Sequence, residues 1–441
     1  MWGRKCVPVG RISRSAMTTQ GKSDPHHRYP TPVVTAFLST EGKIALFKRS
    51  DRVSTYKGAW AGVSGYVERL PLDQAYVELG EETGLSRDDV ELCGIGVPVI
   101  VEDANLGRTW MVHPYLFDSF GPQSIAIDWE ADSLEWVAPE ELHGRPTVPG
   151  LDRALASVWP PFGDLPFWAG LSEVATDTLR GATELALSGL EVLELYIRRD
   201  GSAPRERAAR AFAACRSSMG IFPHLAARFL ADRQSAAQLA RAVTEATTAS
   251  ASRAAEALAP HSRVLTISCS SAVKEALVMR ARSARPLDVF VMESRPKLEG
   301  LTLAQELAKE AIRVSVITDA QAGLFAREVD AVVVGCDAIT ESNELQNKVG
   351  TSLLVMSARS HGVPCFAVAQ TFKIVPPGFP HPSEEQEPDE VGRSERLRFR
   401  NLVFDTVPID AFEAVFTEDG PLTSERLSAV RKRLRSAKLS K

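Results

Sequence analysis

Between Ser262 and Ala369 the chain repeats one pattern, a short apolar run followed by a segment long enough for a helix. The runs are 264–268, 288–293, 313–318, 331–334 and 365–369. Strands that alternate with helices need crossover connections, and crossovers give a parallel sheet covered on both faces. A doubly wound α/β Rossmann-like domain is therefore predicted. The unbroken apolar run 331–334 suits a strand buried on both faces, and Gly335-Cys336-Asp337 ends it. That sets a carboxylate just past the strand's carboxyl end, where open parallel sheets keep their ligands. Asn347, Lys348, Gly350 and Thr351 then lead into the apolar segment 352–358, which places a cation and free amides at an expected helix start and suits a phosphate. A lone Asp after a strand serves equally to cap a helix or close a turn, and spacing leaves the two open.

With 441 residues the chain exceeds one ordinary core and predicts two or three domains. The formal charge of -5 comes without a basic face, which argues against nucleic acid and leaves small molecules or proteins as partners. Cys6, Cys93, Cys215, Cys269, Cys336 and Cys365 lack paired spacing, so neither a zinc site nor a disulfide framework is implied. A reducing compartment follows, and a cytoplasmic location with it. No apolar run reaches membrane-spanning length, so no membrane is expected as a partner. Residues 1–27 read as a disordered or targeting segment: Arg4, Lys5, Arg11, Arg14 and Lys22 precede the first acid, Asp24, a composition that leaves organelle import open.

From Thr31 to about Glu141 the predicted strands are 31–38, 43–48, 62–67, 90–101, 109–117 and 133–137, with one helix over 72–83. This is a self-contained α+β domain. Pro146, Pro149 and Trp159-Pro160-Pro161 punctuate a connector after it. Residues 165–260 are rich in Ala, Leu and Arg, and apolar residues at helical spacing (Leu179, Ala182, Leu185, Ala186, Leu190, then Leu225, Ala226, Phe229) predict a helical subdomain. Residues 377–397, with Pro-Gly-Phe-Pro-His-Pro and then Glu384, Glu385, Glu387, Asp389 and Glu390, read as a flexible surface insertion.

Two sets of motifs carry chemistry. In the first, Gly65 and Glu68 precede Glu78-Leu-Gly-Glu-Glu-Thr-Gly-Leu85, and Glu78 and Glu82 lie one helical turn apart with Glu81 beside them. Carboxylates sharing a face in this way gather Mg²⁺ around a diphosphate. The stretch resembles the Nudix hydrolase box, and the resemblance covers residues 28–160. It departs from the box at Val77, where the family has an orienting Arg, and in lacking the family's earlier Glu. Loss of an orienting partner removes most of a site's rate.

The second set is dispersed: Leu179-Arg-Gly-Ala182, Thr266-Ile-Ser-Cys-Ser-Ser-Ala-Val273, Glu293-Ser-Arg-Pro-Lys-Leu-Glu-Gly300, Gly335-Cys-Asp-Ala-Ile339 and Asn347-Lys-Val-Gly-Thr351. In order and spacing these resemble the superfamily that joins the alpha, beta and delta subunits of translation initiation factor 2B to methylthioribose-1-phosphate and ribose-1,5-bisphosphate isomerases. Residues 165–441 are covered, with 261–441 as the Rossmann-like domain. Arg180 and Arg295 offer planar forks to phosphate oxygens, and Gly181 before Ala182 lets backbone amides approach an anion. The resemblance implies that Asp337 moves a proton and that Asn347 and Lys348 lie on the substrate. It sets Ser268 where the isomerases carry their cysteine, with Cys269 one residue later. A serine hydroxyl is a far weaker acid than a thiol.

The whole is thus expected as an α+β Nudix domain, a helical subdomain and a doubly wound domain. It would bind a phosphorylated pentose and isomerise ribose 1,5-bisphosphate without a cofactor in the carboxyl-terminal half. Alternatives are a non-catalytic initiation-factor-like regulator with initiation-factor subunits as partners, and a Mg²⁺-dependent Nudix pyrophosphohydrolase. A homodimer or higher oligomer is implied by the family.

Overall fold

The computed structural model describes residues 30–119, 125–161, 164–199, 205–232, 234–282, 286–310, 312–394 and 396–435. The segment 1–27 lies outside them, as does the basic tail beyond Arg435.

The amino-terminal unit is a mixed sheet. Its strands are β1 (Thr31–Thr40), β2 (Lys43–Arg49), β3 (Trp60–Ala61), β4 (Val63–Tyr66), β5 (Glu91–Ile95), β6 (Val99–Asp103), β7 (Arg108–Asp118) and β8 (Ala131–Val137). β1 pairs parallel with β7 and antiparallel with β2 and β4. The run 90–101, expected as one strand, is two. A side chain at Gly96 would come within 2.2 Å of the Ser157 hydroxyl, so the backbone packs closely there, and Pro98 has no amide for a ladder. Helix α1 (Pro71–Thr83) starts with proline at its first turn and stops at Gly84, whose φ of 75° is left-handed. The expected connector contains a helix, α2 (Leu151–Val158), with Leu151, Ala154, Leu155 and Val158 buried against the sheet.

Five helices follow among the described residues: α3 (Leu165–Thr176), α4 (Ala182–Arg199), α5 (Arg205–Cys215), α6 (Ile221–Ala231) and α7 (Ala236–Ala257). One apolar cluster runs from Val34, Leu79 and Phe117 of the amino-terminal unit through Phe167 and Leu171 to Phe212, Phe222 and Phe229. Burial of each such side chain contributes about 1.5–3 kcal/mol, so the seam between sheet and helices is core and not a loose hinge.

The second sheet runs β11-β10-β9-β12-β15-β17-β18. In chain order its elements are β9 (Arg263–Ile267), α8 (Ser271–Arg282), β10 (Asp288–Met292), α9 (Glu299–Ala308), β11 (Arg313–Ile317), α10 (Ala322–Phe325) and β12 (Ala331–Val334). After β12 come β13 (Ala338–Ile339), β14 (Glu344–Lys348), α11 (Thr351–Ser360), β15 (Cys365–Val368), β16 (Phe404–Pro408), β17 (Ala414–Thr417), β18 (Gly420–Pro421) and α12 (Ser424–Leu434). Pairing is parallel from β11 through to β17. The order reverses between β9 and β12, and at that switch point the strand ends splay to leave a crevice.

Two expectations need correcting. Asn347 and Lys348 sit on β14, in a small antiparallel sheet β13-β14-β16, and not at a helix start. The start of α11 already holds an anion: the Asp405 carboxylate accepts hydrogen bonds from the amides of Gly350 (2.9 Å) and Ser352 (3.1 Å). A helix dipole satisfied by its own carboxylate has little left for a phosphate. The segment 377–397 is also no loose insertion. Glu384, Glu385, Gln386 and, just beyond, Asn401 are buried, because their polar groups find partners within the stretch and, at Arg216, on a neighbouring element. No helix among the described residues is long and apolar enough to cross a membrane.

Candidate functional site

A cavity of about 460 Å³ opens at the switch point. Asp337, just beyond β12, reaches it with its backbone fixed on both sides: its amide donates to the Gln346 carbonyl, and its carbonyl accepts from Gly220. Burial pushes the Asp337 carboxyl above the usual carboxylate range, while the Lys373 charge pulls it back. Lys373, on the 3₁₀ turn Thr371–Lys373 after β15, is itself fully buried, and burial lowers its ammonium's pKa. An acid and a base, each with its charged form disfavoured by burial, thus share one cavity.

From β9, Ser268 enters at a φ of 69°, a left-handed conformation that a non-glycine residue keeps only when its surroundings hold it. Its amide donates to Ser294 Oγ, and its hydroxyl donates to Glu299 Oε1 at 3.2 Å. Lys348 Nζ lies 3.0 Å from the same Glu299 oxygen. Cys269 is half-buried, packs partly against the apolar cluster under β9 and β10, and has its thiol pushed up to about 11 by burial. It is no thiolate at neutral pH. Asn347 is buried and donates to Thr351 Oγ1 at 3.0 Å.

The helical region supplies the third wall. The Asp177 carboxylate accepts from the amides of Leu179 and Arg180 and from Arg180 Nε, which fixes the turn Leu179-Arg180-Gly181 ahead of Ala182 at the start of α4. Arg180 also donates to Ser188 Oγ, so its fork is anchored within its own element. Arg216 is more deeply placed. It is paired at 2.8 Å with Glu384, the two side chains being 3% and 2% exposed, and it donates to the Asp177 carbonyl.

Of the residues expected to meet, Arg180, Gly181, Ala182, Ser268, Cys269, Asp337, Asn347 and Lys348 all line this cavity. Arg295 does not: its side chain is exposed, and its amide and that of Ser294 are held by the Asp319 carboxylate. Lys297, two residues on, lines the cavity instead. Sequence reasoning also missed Arg216, Lys274, Glu299, Gln370, Lys373 and Glu384. Gln370 and Lys373 had a usable signal, since they follow an apolar strand at the same sheet edge as Asp337. Arg216 and Glu384 had none, lying 168 residues apart in the chain. Arg216 Nε, Glu299 Oε2 and Gln370 Oε1 are buried and unpartnered within the protein. Leaving such atoms unsatisfied costs about 1–3 kcal/mol each.

The amino-terminal cavity, about 450 Å³, is arranged differently. Glu78 accepts from Gln74 Nε2 at 2.7 Å and lies so close under β4 that a side chain at Gly65 would overlap its carboxylate. Glu82 turns inward, accepts from the Ser64 amide at 2.9 Å, and is pushed up to about 8 by burial. Glu81 is exposed. Glu78 and Glu81 line this cavity while Glu82 turns away from it, and no group of three acidic, histidine or cysteine ligands able to hold a metal ion occurs among the described residues. With Val77 in place of an arginine, nothing pulls Glu78 and Glu82 toward a common point.

Comparison with known proteins agrees with both halves. Residues 231–424 match the model of the initiation factor 2 subunit family, and residues 29–157 match that of the NUDIX domain. A protein of Pyrococcus abyssi named as translation initiation factor eIF-2B subunit 2-like is 32% identical over 267 residues, spanning 57% of this chain and 94% of that one. The ribose 1,5-bisphosphate isomerase of Archaeoglobus fulgidus is 33% identical over 165 residues, 36% of this chain and 53% of that one. The chain likewise spans only 58% of the corresponding Pyrococcus furiosus protein. The crystal structure of the Pyrococcus horikoshii translation initiation factor eIF-2B superposes with a TM-score of 0.54 at 29% identity, covering 59% of this chain and 98% of that one.

Proposed function

The chain belongs to the initiation factor 2 subunit family and carries a NUDIX domain ahead of it, and on that premise we propose that its carboxyl-terminal cavity binds a phosphorylated pentose and isomerises it, with ribose 1,5-bisphosphate as the substrate. The observation that carries this reading is the convergence of Asp337, Ser268, Asn347, Lys348 and Arg180, drawn from distant segments, on one cavity. Arg180, Arg216, Lys274, Lys297, Lys348 and Lys373 line it as well, donors suited to phosphate oxygens, with Glu184, Glu299, Glu306, Glu384 and Asp337 among them.

Aldose-to-ketose conversion of such a sugar opens the ring. A proton goes to the ring oxygen as the C1–O bond breaks, the C2 proton leaves, C1 gains one, and the C2 hydroxyl proton is released as the carbonyl forms. Protons given and taken balance. Asp337, whose carboxyl burial pushes above the usual carboxylate range, is placed to give the first. Ser268 has no acidic thiol, so the ionisable group on its side is Glu299, whose Oε1 is shared by Ser268 and Lys348. Incubation with ribose 1,5-bisphosphate, followed by NMR, should give ribulose 1,5-bisphosphate; no conversion at high enzyme concentration ends the isomerase reading.

One observation favours a second reading. Ser268 in the place the resemblance gives to cysteine suits a protein that holds a sugar phosphate without turning it over, as an initiation-factor-like regulator would. Initiation-factor subunits recovered with the protein from a cell lysate would support it. The NUDIX domain is read as non-hydrolytic, since its acids do not gather. Self-association is part of the proposal: Val316 on the edge strand β11, Leu324 on α10, and Leu353 and Met356 on α11 are exposed apolar residues, and a second copy would cover them.

A further inference from the structure

The segment 384–401 touches both halves of the molecule. Glu387 pairs with Arg69 at 3.0 Å and Arg398 with Glu68 at 3.4 Å, and both Glu68 and Arg69 line the NUDIX cavity. Three residues past Glu387, Glu390 pairs at 2.6 Å with Lys297, which lines the carboxyl-terminal cavity. Pro388–Glu390 is a single 3₁₀ turn, and Asn401 Nδ2 donates at 2.9 Å both to the Glu387 carbonyl and to Glu390 Oε2. The two carboxylates are therefore mounted on one short, cross-braced piece of backbone. Each neutralises a cation that its own neighbouring cavity would otherwise present to an anion. Arg69 Nε is in addition buried and unpartnered.

We propose that this turn couples the two cavities, so that the NUDIX cavity serves as an effector site for a phosphate-bearing ligand with an aromatic base. The rings of Tyr66 and Trp110, 6.1 Å apart, offer a face to the base, and Arg69 with Arg49 offers charge to the phosphate. Glu78, Glu81 and Glu130 line the same cavity and repel an anion, which directs the phosphate toward Arg69. A phosphate that takes Arg69 from Glu387 releases the turn, and the released turn lets Lys297 leave Glu390 for a phosphate in the other cavity. The tied state disfavours both ligands and the released state favours both. Each ligand therefore tightens the other by the same factor. The part concerning the second ligand rests on the sugar-phosphate reading above; the mechanical tie does not.

The test uses the full-length protein, with ADP as probe for the NUDIX cavity and ribose 1,5-bisphosphate for the other. Arg69→Gln should speed amide hydrogen exchange across 384–401 and tighten ribose 1,5-bisphosphate, by calorimetry, about fivefold, the lower end of ordinary coupling. ADP should do the same to the parent and nothing further to Arg69→Gln. Glu387→Gln cuts the tie from the other side and should match it. Glu390→Gln should bind the sugar phosphate tightly by itself, with Arg69→Gln adding nothing on top. Unchanged exchange in both Arg69→Gln and Glu387→Gln overturns the coupling, as does unchanged or weaker sugar-phosphate affinity. Exchange that answers to Arg69→Gln but not to ADP overturns the effector role. If the parent binds no ribose 1,5-bisphosphate, the function proposed above falls, and the exchange result still decides the coupling.

Discussion

The two cavities are nearly equal in volume, about 460 and 450 Å³, yet they were assembled in opposite ways. In the amino-terminal one the acids come from a single helix at the spacing of a known box, and only part of the set faces the cavity: Glu78, held by Gln74, and the exposed Glu81 line it, while Glu82 turns inward to the Ser64 amide. In the carboxyl-terminal one, residues as far apart as Arg180 and Glu384 converge and leave three polar atoms unmet. Correct spacing along a helix puts groups on one face, but a site also needs something to hold them off their neighbours. At Val77 that something is missing.

The comparison can be broken most sharply at Asp337. Asp337→Asn keeps size and burial but cannot give up a proton, so conversion should fall by about 10²–10⁴ while calorimetric binding of ribose 1,5-bisphosphate persists. A rate within tenfold of the parent would remove Asp337 from the chemistry. Next comes Glu384→Ala, which strands the buried Arg216 charge and should cost about 3–5 kcal/mol in denaturant unfolding. A loss below about 1 kcal/mol, the size ordinary for exposed pairs, would mean that water reaches the pair.

Glu82 sharpens the contrast from the other side. Its folded pKa, about 8, lies above the ordinary carboxyl value of 4.5, so the folded state holds the proton more tightly. The stabilisation this gives is complete below the unfolded pKa and is lost as pH rises toward 8. Glu82→Gln can still accept from Ser64 without ionising, so the variant should exceed the parent by on the order of 4–5 kcal/mol at pH 9 and match it near pH 4. Equal stability at both pH values would show that Glu82 ionises freely and leave it available to a cation. The smallest effect is expected at Arg295. Because its side chain lies outside the cavity, Arg295→Ala should leave sugar-phosphate affinity and stability within about 0.5 kcal/mol of the parent. A tenfold weaker affinity would put that guanidinium back on the ligand.

Much of this architecture could be read before any coordinates. The parallel strands from 264 to 369 were legible because each is a bounded apolar run, and α1 because proline and glycine punctuate its ends. Asp337 and Ser268 were legible as groups just past strand ends. Short polar strands were not: β14 and β16 carry Gln346, Asn347, Lys348 and Asp405, and nothing in such residues announces a sheet. The segment 384–401 reads as loop because its burial is polar and depends on partners that no local periodicity marks, some within the segment and some, such as Arg216, far away in the chain.

The amino-acid order by itself determined the two sheets, the helices between them and the strand ends that line the carboxyl-terminal cavity, since periodicity and turn residues act within a few positions of themselves. Tertiary structure alone decided which charges would be satisfied. Arg216 meets Glu384, Lys297 meets Glu390 and Asp405 caps α11 because chain segments far apart in sequence pack side by side. Coulomb and hydrogen-bond energies depend on ångströms of separation in space, a quantity that no local pattern of residues encodes.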